Sequence, residues 1–197
     1  MVIGYHIIFG AYGFWLPNDP RGSWSNAVWA RHLRPFGGAT KVSTRRSLAS
    51  RPHDDAKRVE AKRHLQYPAV RFTGVQARAV GRGFARVVRD LELKVYACAI
   101  LPDHVHLVTG RHPRDAEDVA GFLKRGGTRR LNAEGLHPLE GHRRANGRTP
   151  SPWAERGWCV FLETPDEMRE RIRYVEENPV MAGLPRQRWP FVVPFDA

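Results

Sequence analysis

The chain of 197 residues suits a single domain, with room for a large insertion. Its 42% hydrophobic residues are enough for a core, but no apolar run approaches the length of a membrane span and no signal peptide is recognised. Lysine and arginine number 32 against 20 aspartate and glutamate, a formal net charge of +12 that predicts a polyanionic partner, most often nucleic acid. An acidic membrane surface is the rival partner, but neither a long basic amphipathic helix nor a lipidation motif supports it.

The first third of the chain predicts one strand followed by a long basic insertion. Residues 2–9 alternate in hydrophobicity, with His6 and Ile8 opposite the face of Phe9, which is typical of a strand. We interpret residues 14–72 as an insertion on the first loop, with a short helix near its end. A loop of this length is either functional or partly disordered.

The rest of the chain predicts three helices and three strands in an order typical of a known fold class. Thr73 and Gln76 fit a capping box that begins a helix, and Thr164 and Glu167 fit a second one. The predicted elements are a helix from 73, strands over 94–101 and 104–110, a helix over 115–131, a basic loop over 135–156, a strand over 158–163 and a final helix that Asn178-Pro179 ends near Glu177. The order β-α-β-β-α-β plus a helix predicts an α+β, ferredoxin-like fold, an antiparallel sheet with helices packed on it. We expect one domain over residues 1–197.

Two histidines lie one residue apart in the stretch YACAILPDHVHLVT. Because side chains alternate along a strand, His104 and His106 point to the same face, roughly 7 Å apart. Two neutral imidazoles on one face can share a divalent metal ion. The pair alone is a weak signal, since chance gives roughly 0.4 such pairs here, and two hydrogen-bonded strand histidines are an equal alternative. A structural zinc site is less favoured, because neither cysteine lies in a Cys-x-x-Cys motif.

The final helix carries a tyrosine away from its buried face. Met168, Ile172 and Val175 form the apolar stripe, and Tyr174 lies roughly 120° from it. Asn178 follows one turn later on the same side, so a phenol and an amide can meet a metal held by the sheet. An ordinary interfacial tyrosine, and an asparagine that caps a helix begun by the next proline, are the alternatives.

Two blocks resemble a known family. AILPDHVHLV is similar to the histidine–hydrophobe–histidine strand of the HUH single-strand transposases with one catalytic tyrosine, in particular the REP-associated tyrosine transposases, and RYVEENPVMAGL is similar to their tyrosine helix. WCVFLETPDEMRERI lies where that family has its last strand and the start of this helix. The resemblance covers about residues 94–185 and extends, less specifically, to GYHIIFGAYGFWLPNDPRG. It leaves residues 23–72 unexplained, and Glu176-Glu177 departs from the pair that many members have after the tyrosine.

The resemblance implies cleavage of single-stranded DNA at hairpins. Tyr174 would attack a backbone phosphate, forming a 5′-phosphotyrosine and releasing a 3′-hydroxyl that can later rejoin the strand. The implied ion is Mg²⁺ or Mn²⁺, with ligands His104, His106 and Asn178. Glu170 and Glu177 border the same region and are rival third ligands. Family members occur as monomers and as dimers, so a homodimer is one expectation.

Basic residues of the second half are the expected DNA contacts. They crowd one helix and the loop after it: Lys124, Arg125, Arg129, Arg130, Arg143, Arg144 and Arg148. Trp15, Trp24 or Trp29 can stack on unpaired bases, although packing within the loop explains them equally well. Cys98 and Cys159 lie in apolar runs, which indicates reduced core residues in a cytosolic protein. With DNA as the expected partner, we expect a cytoplasmic, nucleoid-associated location.

Two other functions stay open from the sequence. A non-catalytic nucleic-acid-binding protein, such as a domesticated transposase, needs the basic surface but neither the histidine pair nor the tyrosine. A metal-dependent hydrolase that uses water would need further carboxylate ligands, and only Asp103 adjoins the pair.

Overall fold

A four-stranded antiparallel sheet organises the chain. The computed structural model describes residues 1–19, 27–28, 30–40 and 52–196. The strands are β1 (Gly4–Ala11), β2 (Val95–Ile100), β3 (His104–Gly110) and β4 (Trp153–Leu162). Within the sheet they lie in the order β2-β3-β1-β4. The helices are α1 (Asp55–Arg63), α2 (Gly74–Asp90), α3 (Ala116–Ala133) and α4 (Pro165–Met181). The predicted α+β, split βαβ arrangement of an antiparallel sheet with packed helices is confirmed.

Both faces of the sheet are covered by helices. One face packs against α2 and α3 and forms the main core with them. This face carries Ile7, Phe9 and Leu107. On the opposite face a smaller cluster forms beneath α4, where Met168 and Val175 are fully buried. The alternation of strand residues therefore divides β1 and β3 between two layers, and the histidines of both strands lie in the α4 layer.

Glycines allow α2 and α3 to approach closely. A Cβ atom at Gly83 would lie 2.5 Å from the carbonyl oxygen of Gly126 and 2.9 Å from the Cα of Gly127. The pair Gly126-Gly127, which lowers helix propensity in the middle of α3, is thus a contact surface. The backbones touch where larger residues would hold them apart.

We expect a Gly83→Ala substitution to destabilise the fold by about 2 kcal/mol, because the methyl group overlaps backbone atoms that cannot rotate away. The shift of the urea unfolding midpoint at constant m-value measures it. Gly121→Ala, also within a helix, meets only the end of the Arg125 side chain and is the matched control. An equal midpoint for both variants would contradict the close approach.

The last helix ends later than the sequence indicates. We expected Asn178-Pro179 to stop it near Glu177, but α4 continues through Pro179 to Met181. Its end is set by Gly183, which has φ 72°, while the amides of Gly183 and Leu184 donate to the carbonyls of Val180 and Pro179. This is a Schellman motif, in which a glycine with positive φ ends the helix. Proline removes one backbone donor, and the buried cluster under α4 outweighs that loss.

The fourth strand also begins earlier than the predicted residue 158. It starts at Trp153, because this buried indole packs against Phe9 and its backbone pairs with Ala11. At the start of α4 Thr164 accepts from the amide of Glu167 as predicted, whereas the Glu167 carboxylate accepts from the amide of Glu163 rather than completing the capping box.

The insertion contains local structure in its described parts. The short helix predicted near the end of the insertion is α1, which is capped by Asp54, and a short 3-10 turn spans Arg31–Phe36. Phe36 packs on His64, so the turn and the helix contact each other. Trp24 and Trp29 fall outside the described residues, and the single-domain boundary remains a prediction.

Cys98 and Cys159 are both buried and neither forms a disulfide, as predicted. Across the parts of the chain that the structure describes, no helix combines the length and the apolarity needed to cross a membrane.

Candidate functional site

Three histidines lie on the sheet face that α4 covers. His104 and His106 belong to β3 and face Gly10 and Ile8 of β1 across the antiparallel register, while His6 lies two residues before Ile8. The rings of His104 and His106 are 4.8 Å apart, and those of His6 and His106 are 5.1 Å apart and stacked. The predicted pair thus has a third imidazole beside it.

Each imidazole of the predicted pair has its Nδ1 atom engaged. Nδ1 of His104 lies 2.7 Å from a carboxylate oxygen of Asp103, whose other oxygen accepts from Arg71. Nδ1 of His106 lies 2.9 Å from Nε2 of His6. No hydrogen bond to Nε2 of either residue arises within the described chain. Metal-binding histidines commonly hold one ring nitrogen in such a bond and present the other to the ion.

The environment keeps the inner imidazoles neutral. Burial, and then the positive charge of Arg171, lower the pKa of His6 to about 3. Burial lowers the pKa of His106 well below its usual value, with further contributions from His6 and His104. A neutral imidazole has a lone pair that can bind a metal, whereas a protonated one does not.

Tyr174 lies over the inner pair of histidines. Its ring centroid is 5.6 Å from that of His106 and 5.9 Å from that of His6, in edge-to-face geometry. Tyr174 is 38% exposed, so part of this residue is open to solvent and to a bound molecule. The structure therefore brings together the tyrosine and the histidine pair, which are separated by about seventy residues in the sequence.

Asn178 is half-buried on α4, four residues after Tyr174. Its side-chain amide makes no hydrogen bond within the described residues. In residues 1–19, 27–28, 30–40 and 52–196, no three His, Cys, Asp or Glu side chains converge to hold a metal ion. Glu170 and Glu177 are exposed and do not complete such a group. An ion on the histidine pair would need a third ligand of another type, and an amide oxygen is one.

The segment after β1 also reaches this site. Phe14 stacks on the ring of His104, with centroids 4.6 Å apart. Gly10 makes the stack possible, because a Cβ atom there would lie 2.7 Å from the Phe14 side chain. His104 is thus held between an aromatic ring and the Asp103 carboxylate.

The seven predicted DNA contacts differ in their surroundings. Arg125, Arg129, Arg144 and Arg148 are exposed, and Arg125 lies 4.5 Å over the Phe122 ring. Arg130 and Arg143 are exposed but pair with Glu134 and Glu140. Lys124 is the exception among the seven, because its ammonium donates to three backbone carbonyls of residues 154–156 at 2.8 to 3.3 Å.

Lys124 holds an irregular part of the edge strand. Residues 154–156 lie where the register between β1 and β4 shifts, and burial lowers the pKa of Lys124 to about 8. We expect Lys124→Met to reduce the free energy of unfolding by about 1–2 kcal/mol, since it leaves three carbonyls without their donor. Arg129→Met is the control and should leave thermal stability unchanged while weakening DNA binding. Equal stability of the two variants would contradict a structural role for Lys124.

Sequence reasoning missed His6, Asp103 as a partner of His104, and Phe14. The signal for His6 was present, because a histidine on the face opposite Phe9 is unusual in an otherwise apolar strand. Its pairing with His106 depends on the order of strands in the sheet, which places β1 beside β3. Phe14 lay inside the presumed insertion, where no periodicity predicted a contact.

Comparison with known proteins finds likeness of fold. No protein-family model and no curated protein sequence matches the chain. A solved structure of a REP-associated tyrosine transposase bound to a REP hairpin aligns with 96% of this chain and 74% of its own, at 15% identity and a TM-score of 0.49. A protein of Deinococcus radiodurans R1 described as a candidate transposase aligns with 90% of this chain and 91% of its own, at 14% identity and a TM-score of 0.42. At these identities and TM-scores the two likenesses carry no argument about the family or the activity of this chain.

Proposed function

We propose that the protein is a metal-dependent nuclease and strand transferase that cleaves single-stranded DNA at hairpins, with Tyr174 as the nucleophile. One observation carries the proposal: the ring of Tyr174 lies 5.6 Å from that of His106, whose neighbour His104 presents a second imidazole on the same face. A nucleophile beside two imidazoles that can bind a metal is an arrangement suited to phosphodiester attack.

The residues present fit a divalent ion. Nε2 of His104 and of His106 are the available donors, and the amide oxygen of Asn178 is the proposed third ligand. All three donors are neutral, so bound Mg²⁺ or Mn²⁺ would keep its full charge to polarise a phosphate oxygen. Imidazole ligands favour Mn²⁺ in affinity, whereas Mg²⁺ is the more abundant ion.

The reaction proceeds by exchange of one phosphoester for another. The Tyr174 oxygen bonds to phosphorus as the bond to the 3′-oxygen breaks, the departing oxygen gains a proton, and the phenol releases its proton to solvent. Phenolate is a weaker base than alkoxide, so the phosphotyrosine is readily attacked by a 3′-hydroxyl. The strand can therefore be rejoined without ATP.

Single-stranded DNA with an adjoining hairpin is the proposed substrate. The formal charge of +12 and the exposed Arg125, Arg129 and Arg144 support phosphate contacts. Arg130 and Arg143 can contribute only if DNA displaces their carboxylate partners. A homodimer and a cytoplasmic, nucleoid-associated location belong to the same proposal.

Trapping a covalent protein–DNA adduct tests the function. A hairpin oligonucleotide with single-stranded flanks and a fluorescent label is incubated with Mn²⁺, Mg²⁺ or EDTA and separated on a denaturing gel. We expect a shifted, labelled protein band with either ion and none with EDTA. Cleavage without a shifted band would instead indicate a hydrolase that uses water, and binding without cleavage a non-catalytic DNA-binding protein.

A further inference from the structure

The His6 ring contacts that of Tyr174, but the polar atoms of His6 reach the site only through His106. Its side chain is 2% exposed, its ring stacks on that of His106 at 23°, and its Nε2 lies 2.9 Å from Nδ1 of His106. The other ring nitrogen of His6, Nδ1, is buried and has no hydrogen-bond partner among the described residues. Everything that His6 offers in polar interactions is thus directed at one atom of His106.

Two neutral imidazoles joined in this way have two proton arrangements. If Nε2 of His6 donates, the proton of His106 must be on its own Nε2, which then cannot bind a metal. If Nδ1 of His106 donates, its Nε2 keeps a lone pair and can bind. The second arrangement leaves a proton on the unpartnered Nδ1 of His6, and a buried N–H without an acceptor is less tolerated than a buried lone pair.

We infer that His6 is a positioning residue for the proposed metal centre, which selects the proton arrangement and the orientation of the His106 ring. In the protein without metal, His6 donates and Nε2 of His106 carries a proton. If an ion bound Nε2 of His106, the proton on that atom would leave to solvent and the Nε2 proton of His6 would pass to Nδ1 of His106. Nδ1 of His6 would take up one proton in exchange, so the pair would keep two protons and His6 would then accept. The inference rests on the proposed function, because it concerns the ion that the nucleophile would use.

Two substitutions of His6 separate positioning from simple packing. His6→Gln keeps a group that can accept at about the reach of Nε2, whereas His6→Leu has a similar volume and no polar atom. The dissociation constant of Mn²⁺, measured by electron paramagnetic resonance on folded protein, should rise about 10- to 100-fold for His6→Leu and less than threefold for His6→Gln. His137→Leu removes another buried histidine, 4% exposed, and should leave Mn²⁺ affinity unchanged.

The outcomes distinguish this inference from the function on which it rests. Wild-type affinity in folded His6→Leu would overturn the positioning role while leaving the proposed enzyme intact. Failure of the wild-type protein to bind Mn²⁺ would remove both. If His6→Leu does not fold, ¹⁵N spectra of the wild-type histidines decide: Mg²⁺ should move the His106 proton from Nε2 to Nδ1, and unchanged proton positions would overturn the inference.

A separate groove lies between the start of α2 and the segment that follows α4. This groove, which we name the α2–C-terminal groove, has a volume of about 510 Å³. Apolar residues form its walls, among them Phe72, Ala77, Ile100 and Trp189. The outer wall is fixed, because the Gln187 side chain pairs with both the amide and the carbonyl of Ile100 at 2.8 and 2.9 Å.

The rim of the α2–C-terminal groove is basic. Arg78, Arg186 and Arg188 are exposed there, and none has an acidic partner in the described chain. Arg82, also on the rim, is paired with Glu134. The residues that line the groove include no aspartate or glutamate. Apolar walls under unpaired guanidinium groups match a nucleobase with its phosphate.

The position of the groove relates it to the histidine site. Pro102 is part of its lining and accepts from the amide of Phe72, and His104 follows only two residues later. The β2–β3 turn, which contains Pro102 and leads directly into His104, therefore connects the lining of the groove to the histidine site.

We propose that the α2–C-terminal groove binds an unpaired base of the single DNA strand that leaves the histidine site. This also rests on the proposed function, but it is tested by binding alone, on metal-free protein. A set of oligonucleotides is made in which each flanking nucleotide in turn is abasic. The variant with Arg78→Gln, Arg186→Gln and Arg188→Gln is compared with a matched variant carrying Arg86→Gln, Arg89→Gln and Arg111→Gln.

One abasic position should weaken binding about tenfold in the wild type and in the matched variant, and less than twofold in the groove variant. Both variants lose three positive charges. The proposal would be overturned if both lost the same DNA affinity and no abasic position weakened binding to the wild type. The proposal would also be overturned if one abasic position weakened DNA binding by the groove variant as much as by the wild type. This test does not depend on whether the covalent adduct forms.

Discussion

A Tyr174→Phe variant should form no covalent adduct with single-stranded DNA and should bind a hairpin within about threefold of the wild type. The substitution removes only the attacking oxygen, and without a nucleophile no phosphotyrosine forms. The ring remains in its edge-to-face contacts with His6 and His106, and the partly exposed side chain needs no new packing. Adduct is measured on denaturing gels and affinity by fluorescence anisotropy.

Tyr96→Phe is the matched control for this experiment. Tyr96 packs under the same face of the sheet, against Phe195, but away from the histidines. Its phenylalanine variant should form adduct at the wild-type rate. Normal adduct from Tyr174→Phe would exclude this residue as the nucleophile.

His104→Ala should lower the rate of adduct formation about 100-fold or more, because it removes one of two imidazoles from the proposed ion, and charge stabilisation by a metal contributes several kcal/mol. His104 is preferred to His106 for this test. Its side chain is 20% exposed, so its loss disturbs packing less than the loss of the buried His106. Hairpin affinity without metal should hardly change.

His64→Ala provides the comparison, since this exposed histidine lies in the insertion and contacts Phe36. It should leave the adduct rate unaltered. Should His104→Ala react as fast as the wild type in Mn²⁺, the ion would not be held by this pair.

The sequence predicted the fold well where local and global signals agree. The succession of elements predicted the split βαβ arrangement, and Thr73 and Gln76 form the predicted capping box. It failed at Pro179, because local preference predicts a helix end while the buried contacts of Met168 and Val175 sustain the helix. A strand's start at Trp153 depends on packing against Phe9, which no short window of sequence contains.

The candidate site was predicted in part, for a related reason. His104 and His106 follow from alternation within one strand, and Tyr174 from its angle to the apolar stripe of one helix. His6 and Phe14 are distant in sequence from both blocks and meet them only through the sheet and the close approach over Gly10. The charges of Lys124, Arg130 and Arg143 were visible, but their carbonyl and carboxylate partners were not.

Mass spectrometry of the trapped adduct tests the central claim most directly. Protein incubated with the labelled hairpin strand and Mn²⁺ is digested with trypsin and nuclease, and the peptide that retains a nucleotide is sequenced. We expect the mass of a 5′-linked nucleotide on Tyr174 alone, and none after incubation with EDTA. A nucleotide on another residue, or on Tyr174 in the absence of metal, would contradict a metal-assisted tyrosine nucleophile at this site.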